Sequence, residues 1–252
     1  MTHMVTCKNC RHKFQGSFCN HCGQTADTHK LSLHYIWHDL QHGLFHFDNG
    51  IFYTIKQLLK RPGFTIREFI EGKRVHHSKP FSFVVILATL YGLLYHYFIN
   101  NLFDVEPIRT RENIVSAYEK VIQWNLDHLA YTVLLLIMTT TIASYQVFKK
   151  QGYNIAEHLV LNTYYRSLEL IISLLLFPFL YILQRSGKES FKTFAHFIQL
   201  LDFVLMYWCY VQFFDKLPKI KVFGLTALTF SFMSVINMTL GYIAGLFTSI
   251  IG

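Results

Sequence analysis

The residues of this chain best suited to chemistry come first. Cys7-Lys8-Asn9-Cys10 and Cys19-Asn20-His21-Cys22 are two C-x-x-C pairs separated by eight residues. Four thiolates at such spacing can surround one tetrahedral zinc, each pair forming a tight knuckle. A closed set of four leaves no open coordination position, so the expected role is structural. The segment is too short to bury a core, and the metal would supply its folding energy. Gly23 gives the second knuckle a permissive backbone, whereas Arg11 stands where the first would often carry glycine. Two disulfides, or redox chemistry, are the alternative. Met1 to Thr6 holds no apolar run, so no cleavable export signal is expected ahead of the cysteines. His12 and His21 lie nearby and are expected to be solvated loop residues.

A second set is a stripe of histidines. His34, His38, His42 and His46 recur every fourth residue, with Asp39 beside them. Imidazoles at i and i+4 on a helix can share a metal, and a carboxylate can orient them. A catalytic metal would also need an open position. The plainer readings are a polar helix face beside lipid phosphates and a pH-responsive headgroup contact. No H-E-x-x-H signature is present.

A third set lies within apolar sequence. Arg166 and Glu169 share a helix face at i, i+3, and Asp202 falls in the next apolar run. Such residues inside a membrane are costly and mark either a buried ion pair that fixes packing or a conduction path. His96, His196, Gln199 and Asn237 are further polar residues at expected membrane depth. Asn154, Glu157 and His158 precede the run that holds Arg166 and are candidates to join the histidine face. Cys209 is expected to be a buried packing thiol.

The elements that must position these groups are helices. Of the residues, 52% are hydrophobic and only 15% charged, and the apolar ones fall in long runs. Runs of about 20 residues cross a hydrocarbon layer. Five are expected, at about 81–103, 129–148, 159–183, 194–214 and 222–250, with Pro178 kinking the third. Lys and Arg number sixteen on the side that holds the N-terminus and six on the other. That bias places the N-terminus in the cytosol and the C-terminus outside. The reducing cytosol would keep the thiols free for zinc. The net charge of +8 suits anionic lipid headgroups, and nucleic acid is not expected as a partner. Gly224, Gly241, Ala244 and Gly245 in the last run allow close packing within or between chains, so a homo-oligomer is open.

Between the cysteines and the first run lie three amphipathic segments. Leu33, Ile36, Trp37, Leu40, Leu44 and Phe47 share one arc of a helix over 31–47. A second helix is expected over 50–60, with Ile51, Phe52, Ile55, Leu58 and Leu59 apolar, then a break at Arg61-Pro62-Gly63. A third is expected over 64–73, with Ile66, Phe69 and Ile70 opposite Arg67, Glu68 and Glu71. These segments either lie at the membrane interface or pack against the ends of the spans. The expected fold is therefore an all-α integral membrane protein. A zinc ribbon (1–28) and amphipathic juxtamembrane helices (29–79) precede a five-span bundle (80–252).

The order of these features resembles an uncharacterised family of bacterial zinc-ribbon membrane proteins, known mainly as a domain of unknown function. The resemblance rests on the two C-x-x-C pairs with Cys22-Gly23-Gln24, His38-Asp39-x-x-His42, Arg61-Pro62-Gly63, and Arg67 to Arg74. It covers the first 100 residues well and the later spans loosely. More distantly, the architecture is similar to the Yip-type five-span membrane proteins, whose bacterial relatives often carry a zinc ribbon. The resemblance implies a bacterial inner-membrane protein with a non-enzymatic role in membrane organisation, docking, trafficking or transport, and leaves the ribbon open to a protein partner. Two alternatives stand beside it. One is a metal-dependent membrane enzyme built on His34, His38 and His42. The other is a small transporter or channel using Arg166, Glu169 and Asp202. No nucleophile motif, phosphate-binding glycine loop or nucleotide fingerprint is visible, which weighs against ordinary enzymes.

Overall fold

A computed structural model of the chain describes residues 4–28, 30–34, 36, 50–102, 128–185 and 188–251. The N-terminal strands β1 (Val5–Thr6) and β2 (Lys13–Phe14) pair antiparallel, Val5 opposite Phe14. Two short helices follow, α1 (Ile51–Lys60) and α2 (Pro62–Glu71). Five long helices complete the described chain: α3 (Pro80–Leu102), α4 (Leu129–Phe148), α5 (Ile155–Arg185), α6 (Lys188–Phe213) and α7 (Lys219–Ile251).

Four of these are long and apolar enough to cross a membrane, over Pro80–Tyr97, Leu129–Gln151, Ile155–Phe179 and Lys219–Ala244. The fourth expected span falls in α6, whose first turns carry Lys188, Glu189 and Lys192 and whose apolar stretch, Leu200–Phe213, is shorter. α5 begins at Ile155, ahead of the expected start, and continues through Pro178 to Arg185. A capping box sets that start. Asn154 Oδ1 accepts from the Glu157 N–H at 2.9 Å, and Glu157 Oε2 accepts from the Asn154 N–H at 2.8 Å.

α5 is the central helix. It packs against α3, α4 and α6, and against both short helices. Its spanning stretch is 67% buried, against 22% for that of α7, where Thr226 and Thr229 are buried and Ser231 and Thr239 are exposed. Leu228, Val235 and Met238 of α7 are exposed, as a lipid-facing surface requires. Gly224 and Gly241 have no neighbouring atom within contact distance and serve no close packing among the described residues.

The short helices form a collar on one end of the bundle. Thr54 and Leu58 of α1, and Pro62, Gly63, Thr65, Ile66, Phe69 and Ile70 of α2, are buried. Of the two sequence readings, packing against the helix ends therefore holds for these faces. Phe52 departs from expectation. It is 85% exposed, outside the buried arc centred on Thr54 and Leu58. Arg61 alone separates the two helices, because Pro62 opens α2 at its first position, where its missing N–H is harmless. Glu68 gathers Arg61 Nη2 at 3.0 Å and Lys73 Nζ at 3.0 Å. Burial pushes the Glu68 carboxyl up, but these two cations hold it below its ordinary value. α2 ends at Gly72 (φ +109), with the Lys73 N–H returning to the Glu68 carbonyl at 2.9 Å.

Two contacts fix α2 on α6. A Cβ on Gly63 would lie 2.2 Å from the Cys209 carbonyl oxygen and 2.4 Å from the Phe213 nitrogen. Arg67 donates to the Phe213 carbonyl and pairs with Asp215, a cation at a helix C-terminus. The ends of α4, α5 and α6 meet at the same place, where Phe148 stacks on Phe214 at 4.1 Å and Tyr153 lies 4.7 Å from Phe213. A loop, residues 72–79, then leads into α3. Within it the Ser78 N–H donates to Thr54 Oγ1 at 2.9 Å, and the Ser78 carbonyl accepts from the Tyr164 hydroxyl at 2.6 Å. His77 is buried against Tyr53 and Phe69, and burial lowers its imidazole to about 4.

The contact at Gly63 is backbone on backbone and has no flexible side chain to give way. Gly63→Ala is expected to destabilise the fold by about 1–3 kcal/mol, read as a lower thermal midpoint of the detergent-solubilised protein. Gly241→Ala, which meets open space, should leave that midpoint unchanged.

Candidate metal centre and polar seam

The two knuckles are built alike. In the first, the Cys7 carbonyl accepts from the Arg11 N–H at 2.9 Å and the Cys7 N–H donates to the His12 carbonyl at 2.9 Å. In the second, the Cys19 carbonyl accepts from the Gly23 N–H at 2.8 Å and the Cys19 N–H donates to the Gln24 carbonyl at 2.8 Å. Arg11 and Gly23 occupy equivalent positions and both take positive φ, +62° and +75°. The sequence expectation that Arg11 makes a less favourable turn than glycine is thus met by its backbone.

The turns aim the four sulfurs at one point. All four Sγ atoms lie within 4.8 Å of one another, with Cys7–Cys22 at 3.5 Å and Cys10–Cys19 at 3.6 Å. A tetrahedral shell with metal–sulfur bonds of about 2.3 Å has sulfur–sulfur edges of about 3.8 Å. A disulfide would need about 2.05 Å, and all four thiols are free. The donor set therefore fits a tetrahedral metal ion. Its electrostatics point the same way. Burial raises the Cys22 thiol, but hydrogen bonds from the Gln24 backbone and Asn9, with the neighbouring sulfurs, bring it to about 6. The His12 backbone lowers the Cys10 thiol, while burial and the other three sulfurs push it up to about 12. Adjacent sulfurs resist ionising together, and a bound cation removes that resistance. Among the described residues these four are the one group of His, Cys, Asp or Glu side chains gathered closely enough to hold a metal ion. His12 and His21 are exposed, as expected, with their rings stacked at 5.7 Å.

The knuckles are seated on the collar by Gln24, which the sequence reading noted only as part of a motif. Its side chain is buried. Nε2 donates to the Gly72 carbonyl at 2.5 Å, and Oε1 accepts from the Arg74 N–H at 3.2 Å. Within the ribbon itself, Lys8 Nζ donates to the Thr28 carbonyl at 2.6 Å.

Of the histidine stripe, His34 is described and exposed. His38, Asp39, His42 and His46 lie outside the described residues. The approach to the stripe is anchored on the start of α5, where Asn154 Nδ2 donates to the Leu31 carbonyl at 3.0 Å and Lys30 lies 3.9 Å from Glu157. Asn154 and Glu157 thus meet this segment. His158 does not. It is fully buried inside the bundle, with Nδ1 3.1 Å from Ser144 Oγ and Tyr145 packed edge-on.

His158 begins a polar seam along one face of α5. Asn162, one turn on, donates to Ser144 Oγ at 2.8 Å and accepts from the Tyr210 hydroxyl at 2.7 Å, joining α4, α5 and α6. A further turn on, Arg166 is buried. It pairs with Glu169, lies 3.8 Å from Asp202, and reaches Thr140 at 3.5 Å and Met233 at 3.4 Å. The Tyr165 hydroxyl donates to Asp202. Arg166, Glu169 and Asp202 are therefore brought together, and Arg166 meets both its own-helix partner and the cross-bundle one. Sequence reasoning missed Thr140, Ser144, Asn162, Tyr165 and Tyr210. The fourfold spacing of Asn154, His158, Asn162 and Arg166 in an apolar helix was the signal available for Asn162. Among the described residues, His158 Nε2 and Arg166 Nε are buried without a hydrogen-bond partner.

Residues 48–92 match a family described as "Protein of unknown function (DUF3667)". The match covers α1, α2, the loop that receives Gln24 and most of the first spanning stretch. It includes the Arg61 to Arg74 motif on which the resemblance to an uncharacterised family was drawn. No curated protein and no solved structure matches the chain.

Two outcomes test this geometry. Arg11→Gly relieves a left-handed turn and is expected to tighten metal binding about fivefold, equivalent to about 1 kcal/mol, in competition with a chelating dye. Arg166→Leu leaves the two half-buried carboxylates, Glu169 and Asp202, without their guanidinium and is expected to destabilise the bundle by about 2–4 kcal/mol. Adding Glu169→Gln and Asp202→Asn should restore most of the lost thermal stability.

Proposed function

We propose that the chain is a non-enzymatic, five-span protein of a bacterial inner membrane, in which a structural zinc knuckle on the cytosolic side holds a juxtamembrane collar in place. The observation that carries this reading is the closed tetrathiolate. Four sulfurs complete a tetrahedral shell and leave no position for water or substrate, so the metal acts through the fold. The seam in α5 supports the same reading. Its side chains bond to one another across neighbouring helices, which favours a packing role over conduction.

α6 serves as the fifth span. Its 26 residues reach about 39 Å as a helix, enough for a hydrocarbon core of about 30 Å. Charge supports the orientation. At the collar end Lys56, Lys60, Lys149, Lys150, Lys216, Lys219 and Lys221 are exposed, while Glu68, Glu157 and Asp215 are each paired with a cation. That excess faces the cytosol and the anionic headgroups of its leaflet. The solvent side of the knuckle is free for a protein partner, and the open glycines of α7 for a second copy of the chain.

Metal analysis of the purified full-length protein tests the reading. One zinc per chain is expected, abolished by Cys7→Ser or Cys22→Ser. A second equivalent, lost in His38→Ala, would overturn it in favour of a metal-dependent enzyme built on the histidine stripe.

A further inference from the structure

Gln24 belongs to two structures at once. Its carbonyl accepts the Cys19 N–H and so helps shape the second metal knuckle. Its side-chain amide is spent on the collar loop, with the nitrogen on the Gly72 carbonyl and the oxygen on the Arg74 N–H. The two bonds have opposite polarity, so the amide fits in one orientation only. Around it the surfaces are in close contact. A Cβ on Gly72 would come within 2.8 Å of the Lys8 side chain and 3.1 Å of Thr28.

The loop that receives Gln24 is itself bonded onward. Ser78, near its far end, binds Thr54 of α1 through its N–H and Tyr164 of α5 through its carbonyl. Tyr164 is fully buried on the central helix, one residue before the Tyr165 that donates to Asp202. A short path of hydrogen bonds and backbone thus runs from the cysteines to the polar seam.

The near end of that path depends on the metal. Apart from its cysteines, the apolar core of the knuckle has one fully buried side chain among the described residues, Phe14, with Val5 and Ala26 packed around it. So small a core does not fold alone, and the bound ion supplies its order. We propose that metal occupancy of the four-cysteine site is read by the bundle through Gln24. Metal-loaded, the knuckle holds the 72–78 loop down on α1 and α5. Metal-free, Gln24 loses its fixed position, the Gly72 carbonyl and the Arg74 N–H lose their partner, and the loop is released. This rests on the four cysteines binding a metal, as proposed above. It adds that the site is a switch on the collar as well as a staple of the ribbon.

Hydrogen exchange of the full-length protein in detergent, zinc-loaded and after chelation, tests it. Peptides covering residues 72–78 are expected to exchange about tenfold faster without metal. Gln24→Ala should still retain one zinc but show the fast exchange in both states. Loss of zinc binding by the wild-type chain would overturn the metal reading itself. Retained zinc with the same exchange at 72–78 in both states would leave that reading intact and overturn the relay. The wild-type comparison stands alone should Gln24→Ala fail to fold.

Discussion

A polar group withdrawn from water must find its partner within the protein, and this constraint orders the molecule from end to end. In the bundle it acts on α5, the helix most enclosed by its neighbours. His158, Asn162 and Arg166 follow one another by one turn, and each takes a partner from α4, with Asn162 also reaching α6 and Arg166 reaching α6 and α7. Hydrophobic association cannot choose between helices when lipid is as apolar as their side chains. Hydrogen bonds can. The seam therefore selects which faces of α4, α6 and α7 meet α5, and exposed Leu and Val on the outer faces are left to the lipid.

The same constraint explains the collar. Helix ends carry unpaired carbonyls and amides that need partners where the chain leaves the membrane. Arg67 covers the end of α6, Asn154 and Glu157 close the start of α5, and Gln24 takes the Gly72 carbonyl just beyond α2. Each of these residues is polar, sits next to apolar surface, and draws two elements together. The knuckle enters this scheme as a rigid holder for Gln24. A metal ion at the four sulfurs would supply the order that the knuckle's own small core lacks.

How much of this was legible in the sequence depended on distance along the chain. The cysteines were legible because a knuckle is local and ligand spacing encodes it. Hydropathy placed α3, α4, α5 and α7 to within a few residues, since chain composition alone decides whether a helix can enter lipid. The start of α2 was misplaced by two residues because Pro62 reads as a break when it is a first helical position. Asn162 with Ser144, and Gln24 with Gly72, join residues 18 and 48 positions apart. No periodicity in a single sequence encodes such pairs. Gly63 was visible only as half of a turn signal. Its requirement comes from the α6 backbone nearly 150 residues later. Most of the histidine stripe lies outside the described residues, so its chemistry rests on spacing alone.

The recurrent family segment, residues 48–92, contains neither the cysteines nor the buried charges. It contains the surfaces that join them. Thr54, Gly63, Gly72 and Ser78 lie within it: Thr54 needs its hydroxyl, Gly63 and Gly72 have no room for a Cβ, and Ser78 contributes its backbone N–H and carbonyl. Gly63 admits the α6 backbone, Gly72 turns the chain beneath Lys8, and Ser78 reaches Tyr164. A segment built to join two units is constrained from both sides at once. A metal ribbon alone, or a helical bundle alone, would not require glycine at position 63 and at position 72 together. In this chain the segment carries the contacts between the ribbon and the central helix, from Gln24 on the Gly72 carbonyl to the Ser78 carbonyl on Tyr164.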